Sequence, residues 1–203
     1  MVRCADLELI QSFDNNILYY ILENWHNEFT DSFFKAVSSL GNRGLIWIIV
    51  SALMLCSKKW RSYGIVLLLS LGLSAVIGSL VIKNLVCRLR PFVADPSIEL
   101  IVGIPGGYYS FPSGHSTAAG AASVSIFLRN RLAGAFAFAF ALLMSLSRVF
   151  LAVHYPTDTI CGLILGALCA VIIYKLLYSR TEHCLERLYE RRSLTDKSNG
   201  DKN

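Results

Sequence analysis

LAGAFAFAFALLMSLSRVFLAV (132–153), HYPT (154–157) and DTICGLILGALCAVIIYKLLY (158–178) follow one another without a break. The two outer stretches are apolar for more than twenty residues each, and their only charges are Arg148, Asp158 and Lys175. Twenty residues of helix at 1.5 Å rise cover about 30 Å, the thickness of a bilayer's hydrocarbon core. Two helices that cross a membrane and reverse through His154-Tyr155-Pro156-Thr157 put an imidazole and a carboxylate at the mouth of a hairpin. That arrangement decides the fold.

The rest of the chain extends the pattern. It has 203 residues, of which 54% are hydrophobic and only 16% charged. A soluble domain carries about 25% charged residues. Apolar residues come in long runs instead of amphipathic spacing, which marks a membrane protein. Further runs cover Gly44–Cys56, Tyr63–Ile82 and Gly114–Leu128. The expected fold is all-α, an integral-membrane helical bundle of about five transmembrane helices. An N-terminal amphipathic helix precedes it, with Ile10, Phe13, Ile17, Leu18, Ile21 and Leu22 at helical spacing. This helix would lie on the membrane or pack on the bundle. A second short helix is expected over Asp31–Leu40, closed by Gly41. Gly162 and Gly166 stand at the small-xxx-small spacing that lets helices approach closely. Three regions follow: an interfacial segment 1–43, a membrane-embedded core 44–178 and a polar tail 179–203 whose end reads as disordered.

The net charge of +5 does not indicate nucleic acid, because the cations are scattered and no groove-reading motif is present. None of the six cysteines has metal-ligand spacing. Asp6, Glu8 and Asp14 occupy the place of a signal peptide's apolar core, so insertion would rely on the internal spans. Lys58, Lys59 and Arg61 follow the first run, Arg129 and Arg131 the third, and Arg180, Arg187, Arg191 and Arg192 the fifth. The positive-inside rule makes all three clusters cytoplasmic. A multi-pass protein of the cell membrane is expected, with its functional face on the extracytoplasmic side.

Three fragments carry chemistry to that face. Lys83-x6-Arg90-Pro91 supplies two cations, which share a helical face if the helix continues. Pro91 biases Arg90 toward an extended conformation and sets the end of the second span. Phe111-Pro112-Ser113-Gly114-His115 opens a span, where free amides and the helix dipole favour an anion. Ser147-Arg148-x5-His154-x3-Asp158 adds a third cation and a His–Asp pair. A carboxylate bonded to one imidazole nitrogen fixes the tautomer and frees the other nitrogen to attack. Arg148, six residues before His154, stands off its face on an ideal helix.

With these three fragments in this order, residues 30–178 resemble the type 2 phosphatidic acid phosphatase superfamily. These are membrane lipid phosphatases related to bacterial acid phosphatases and vanadium haloperoxidases. The resemblance implies a phosphatase acting on a lipid phosphate ester or diphosphate through a phosphohistidine. It implies that Lys83, Arg90, Arg148, Ser113 and Gly114 bind phosphate, and that His154 is the nucleophile held by Asp158. His115 would protonate the leaving group. No metal or other cofactor is implied, and the partners are a lipid substrate and the bilayer, without nucleic acid. Arg90-Pro91-Phe92-Val93 in so short a chain looks like the small undecaprenyl-diphosphate phosphatases. The alternatives are a phosphatidylglycerophosphate or phosphatidate phosphatase and, in another class, a non-catalytic protein that binds or moves a phospholipid.

Overall fold

The computed structural model describes residues 4–103 and 107–177. Its helices are α1 (Cys4–Asn24), α2 (Glu28–Leu40), α3 (Leu45–Cys56), α4 (Arg61–Val86), α5 (Gly114–Phe127), α6 (Arg131–Phe150) and α7 (Pro156–Leu177). Among the described residues the only extended pairing is an isolated bridge between Leu89 and Tyr109. The tail from Ser179, with its four arginines, lies outside the described residues.

Among the described residues three helices, α4, α6 and α7, are long and apolar enough to cross a membrane. The pair α2–α3, bent by 49°, makes a fourth if taken as one span. The sequence predicted about five. The difference lies mainly in α5, which has 14 residues, nine of them buried. It is the central helix, packed on α4 and α6, and its Ala, Ser and Gly residues suit close neighbours better than lipid.

The glycines show how close those neighbours come. A Cβ on Gly166 would strike the Thr117 carbonyl and the Ala121 amide of α5, and one on Gly120 would strike the Leu163 carbonyl of α7. Around this contact, Trp47, Met54, Leu67, Ala119, Ala122, Ala141 and Met144 form one apolar core.

A second core lies beneath α1. Leu18 and Ile21 pack with Phe34, Phe150, Leu151, Val153 and Tyr155, so α1 rests on the bundle and covers the turn that carries His154. Its buried face differs from the one read in the sequence. Ile10 and Phe13 are exposed, and the fully buried positions include Asp14. Helix α2 begins at a capping box formed by Asn27 and Thr30 and ends at Gly41, three residues longer at its start than expected.

The α3–α4 and α5–α6 loops meet at one end of the bundle. Arg129 Nε donates to the Lys59 carbonyl at 3.2 Å, and its guanidinium lies over the rings of Trp60 and Tyr63. The two described basic clusters therefore share one end, opposite the ends of α4, α5 and α6 that carry the three fragments.

Gly166→Ala is expected to lower stability by about 1–3 kcal/mol through overpacking against backbone. Gly72→Ala, where an added Cβ meets nothing within 4 Å, should leave stability equal or slightly higher. Thermal unfolding in detergent checks both.

Candidate active site

The first fragment is built by ending a helix. Helix α4 widens into a π-type turn over Val76–Ile82 just before Lys83, a feature frequent at functional sites. It stops at Val86, where Cys87 takes the left-handed φ of 49°. Lys83 and Arg90 therefore do not share a helical face, contrary to the spacing argument. Arg90 is extended, φ −69° and ψ 153°, as its following proline requires. The returning loop unites the two cations. Lys83 Nζ donates to the Tyr109 carbonyl at 3.3 Å, and Arg90 Nε donates to the Gly107 carbonyl at 2.9 Å.

The third fragment resolves the awkward position of Arg148. Helix α6 ends at Phe150, Ala152 turns left-handed with φ 51°, and the chain doubles back. The N–H groups of Val153 and His154 both donate to the Arg148 carbonyl at 3.2 Å. Arg148 and His154 are thus brought together by a helix end rather than by helical register. Pro156 then opens α7, and the Tyr155 N–H donates to Asp158 Oδ2 at 2.9 Å.

His154 is 2% exposed. Arg90 Nη1 donates to the Val153 carbonyl at 2.9 Å and lies 3.4 Å from His154 Nε2. His154 Nδ1 faces Asp158 Oδ2 at 3.6 Å. A proton on Nδ1 turns that N–H toward Asp158, just beyond hydrogen-bond distance, and leaves the Nε2 lone pair directed at the guanidinium. Burial lowers the imidazole pKa to about 3. Asp158 opposes that shift, while Arg90 and Arg148 add to it.

In the second fragment, Ser113 caps α5 and is fully buried. Its N–H donates to the Asp158 carbonyl at 3.1 Å, joining this fragment to the third. Its hydroxyl oxygen accepts from Ser116 Oγ at 3.2 Å. Gly114 faces open space, since an added Cβ would meet nothing within 4 Å. It borders, with His115, a cavity of about 530 Å³ lined by Gly41, Gly44, Gly72 and Gly78. His115 Nε2 lies 3.4 Å from Asn42 Oδ1.

Lys83, Arg90, Arg148, His115, His154 and Asp158 all lie within electrostatic reach of others in the set. Among the described residues none of the three cations has a carboxylate within salt-bridge distance. Their partners are neutral: carbonyls for Lys83 and Arg90, and the Ser38 hydroxyl for Arg148. Arg148 Nε is buried without a partner. Positive charge without a counterion in a dry site is costly, and an anion with several oxygens relieves it. Among the described residues no group of three or more His, Cys, Asp and Glu is placed to hold a metal ion.

Several residues were not singled out from the sequence. Arg88 donates to Asp158 Oδ1 at 2.8 Å and to Asp14 Oδ2 at 2.6 Å. Ser38 holds Arg148 and Asn42 faces His115. Arg88 was legible as an extra cation inside the first fragment. Asp14 was legible as a carboxylate four residues before Leu18 and seven before Ile21, hence on their face.

A multi-pass helical membrane protein that gathers three cations without carboxylate partners beside a buried imidazole suits phosphate chemistry at a bilayer. The family model described as the PAP2 superfamily matches residues 63–182. The undecaprenyl-diphosphatase of Sulfolobus acidocaldarius is 32% identical over 77% of this chain and 76% of its own. The undecaprenyl-diphosphatase BcrC of Bacillus subtilis is 30% identical over 81% and 85%. The crystal structure of Aquifex aeolicus LpxE shares the fold with a TM-score of 0.71, at 22% identity over 80% of this chain and 95% of that one. The chain belongs to the PAP2 superfamily. It is a membrane lipid phosphatase, which removes the non-catalytic alternative.

The His154 environment has a pH signature. The folded imidazole refuses a proton until about pH 3, whereas the unfolded one accepts it near pH 6.5. Between those values the unfolded state binds more protons, so stability falls as pH is lowered from 6.5 toward 3. His154→Gln should flatten that dependence relative to the parent. Thermal midpoints in detergent at pH 7 and pH 5 give the comparison.

Proposed function

We propose that this protein removes the terminal phosphate of undecaprenyl diphosphate at the outer face of the cell membrane, through a phosphohistidine at His154. The observation that carries the reading is that Arg90 and Arg148 act on His154 with Lys83 beside Arg90, and that among the described residues none of the three has a carboxylate within salt-bridge distance. In this mechanism Nε2 attacks the terminal phosphorus and the bond to the bridging oxygen breaks. His115 gives its proton to that oxygen, and undecaprenyl phosphate leaves. Water then attacks the phosphohistidine, His115 takes the water's proton, and inorganic phosphate is released. Asp158 accepts from Nδ1–H and supports the charge that develops on the ring.

The equatorial oxygens of the transferring group are held by the three cations, the Gly114 amide and Ser113. The Ser113 oxygen accepts from Ser116, so its own hydrogen remains available to donate. Fixed donors of this kind, in a site that excludes water, are the main source of stabilisation in phosphoryl transfer. The cations take the place of a metal clamp, so excess chelator is expected to leave turnover unchanged.

The substrate follows from two supports. Two relatives of about 30% identity are undecaprenyl-diphosphatases. The basic loops lie at the end opposite the site, and the positive-inside rule reads such an end as cytoplasmic, which supports an outward-facing site. Spent lipid carrier is found on that side. A membrane-impermeant thiol reagent should label a single cysteine placed at Ile98 in whole cells and spare one at Asn130. The opposite pattern would favour a phospholipid-biosynthetic phosphatase.

The roles of the histidines separate by leaving group. His154→Ala should abolish phosphate release from every substrate, because no other group receives the phosphoryl. His115→Ala should cost roughly 10²–10⁴ on phosphatidate, whose alkoxide needs a proton. It should cost much less on nitrophenyl phosphate or undecaprenyl diphosphate, whose leaving groups are weakly basic. Phosphate release in detergent across these substrates measures both effects. Lipid turnover by the His154 variant would overturn the assignment.

A further inference from the structure

The buried group that the mechanism leaves unused is a chain of alternating charge behind Asp158. Asp14 and Asp158 are fully buried, and the Arg88 side chain between them is 17% exposed. Arg88 Nη1 donates to Asp158 Oδ1 and to Thr157 Oγ1, both at 2.8 Å. Its Nη2 donates to Asp14 Oδ2 at 2.6 Å and to Gln11 Oε1 at 2.8 Å. Asp14 is also bound to the α7 start: the Thr157 N–H donates to Oδ1 at 2.9 Å and the Thr157 hydroxyl to Oδ2 at 2.5 Å. The guanidinium lies 4.0 Å from the centre of the Tyr155 ring.

We propose that Arg88 and Asp14 are positioning residues for the His154–Asp158 pair, Arg88 fixing the carboxylate and Asp14 restoring the negative field that Arg88 alone would cancel. This rests on the phosphohistidine reading above. Asp158 has two oxygens with separate duties. Oδ2 receives the Tyr155 N–H and faces the imidazole, while Oδ1 is held by Arg88. A guanidinium so close to Asp158 would make a neutral pair, poorly suited to support an imidazole that gains positive charge as Nε2 bonds to phosphorus. With Asp14 the trio carries a net negative charge, and that support returns. A brace for the fold has no need of this arrangement, since α1 already packs on the bundle through Leu18 and Ile21. Asp14 lies outside residues 63–182, the part matched by the family model.

The consequence is a loss in kcat, not in KM, because the phosphate seat of Lys83, Arg90 and Arg148 is separate from the trio. Asp14→Asn keeps shape and removes the charge. Its kcat should fall about 10- to 100-fold, the scale for groups that orient a histidine ligand or base. KM should stay within about threefold, the mark of an interaction made only in the transition state. Arg88→Met leaves two buried carboxylates facing each other and should lose more. The double variant Asp14→Leu/Arg88→Met leaves Asp158 alone with His154 and should turn over faster than Arg88→Met.

The assay is steady-state phosphate release from nitrophenyl phosphate and undecaprenyl diphosphate in detergent, with thermal midpoints recorded for each variant. A kcat for Asp14→Asn within about twofold of the parent, or a change confined to KM, overturns the proposal. So does a double variant slower than Arg88→Met, which is what a structural brace would give. If Arg88→Met does not fold, the near-isosteric Asp14→Asn decides alone. His154→Ala is measured beside them. Turnover by that variant sinks the nucleophile assignment. An inactive His154→Ala beside a fully active Asp14→Asn sinks the positioning role only.

Discussion

Asp158 is where the separate stretches of this chain meet. Its carboxylate takes the Tyr155 N–H and the Arg88 guanidinium and faces His154, while its backbone carbonyl takes the Ser113 N–H. One residue in the first turn of α7 thus ties the end of α6, the segment after α4 and the start of α5. These three hydrogen bonds and the facing imidazole fall on a group that is fully buried, where an unmet acceptor would be expensive. Position 158 therefore fixes more than a histidine tautomer. The three fragments keep their relative places because each is bound to it directly or through one neighbour.

The cation cluster works against the fold that holds it. Lys83, Arg90 and Arg148 repel one another, and among the described residues their hydrogen-bond partners are neutral groups. The surrounding structure offsets this with close helix packing. Gly166 sits against the Thr117 and Ala121 backbone, Gly120 against Leu163, and Gly41 allows His115 and Met144 to approach. An anion with several oxygens would relieve the conflict. This is the usual relation between a stable scaffold and an internally costly functional site.

Much of this was legible beforehand, and the exceptions have physical causes. Long apolar runs gave the spans because hydrocarbon thickness sets their length. Residue types and order singled out side chains that the fold brings together, because few side chains can hold phosphate and accept a phosphoryl. Helix α5 was over-read: apolar composition does not distinguish a lipid-facing helix from a short one buried among others. Lys83 and Arg90 would share a helical face only if the helix continued, and it ends at Val86. Arg148 looked misplaced for the same reason, since periodicity says nothing about what happens after a helix stops. Asp14 was read only as a charge that interrupts a signal peptide's apolar core, since a carboxylate is rarely buried. It took Arg88, 74 residues away in the chain, to make that position tenable.

Two residues with no contact to phosphate govern how the chain enters the site. Cys87 and Ala152 take φ values of 49° and 51°, each just after a membrane helix and just before a group in the cluster. Glycine adopts that conformation freely and asparagine tolerates it, whereas valine, isoleucine and threonine do so only with strain. In a lineage of such sequences, drift at these two sites is therefore confined to small or unbranched residues. An alignment would register the restriction as conservation, although neither side chain takes any part in the chemistry.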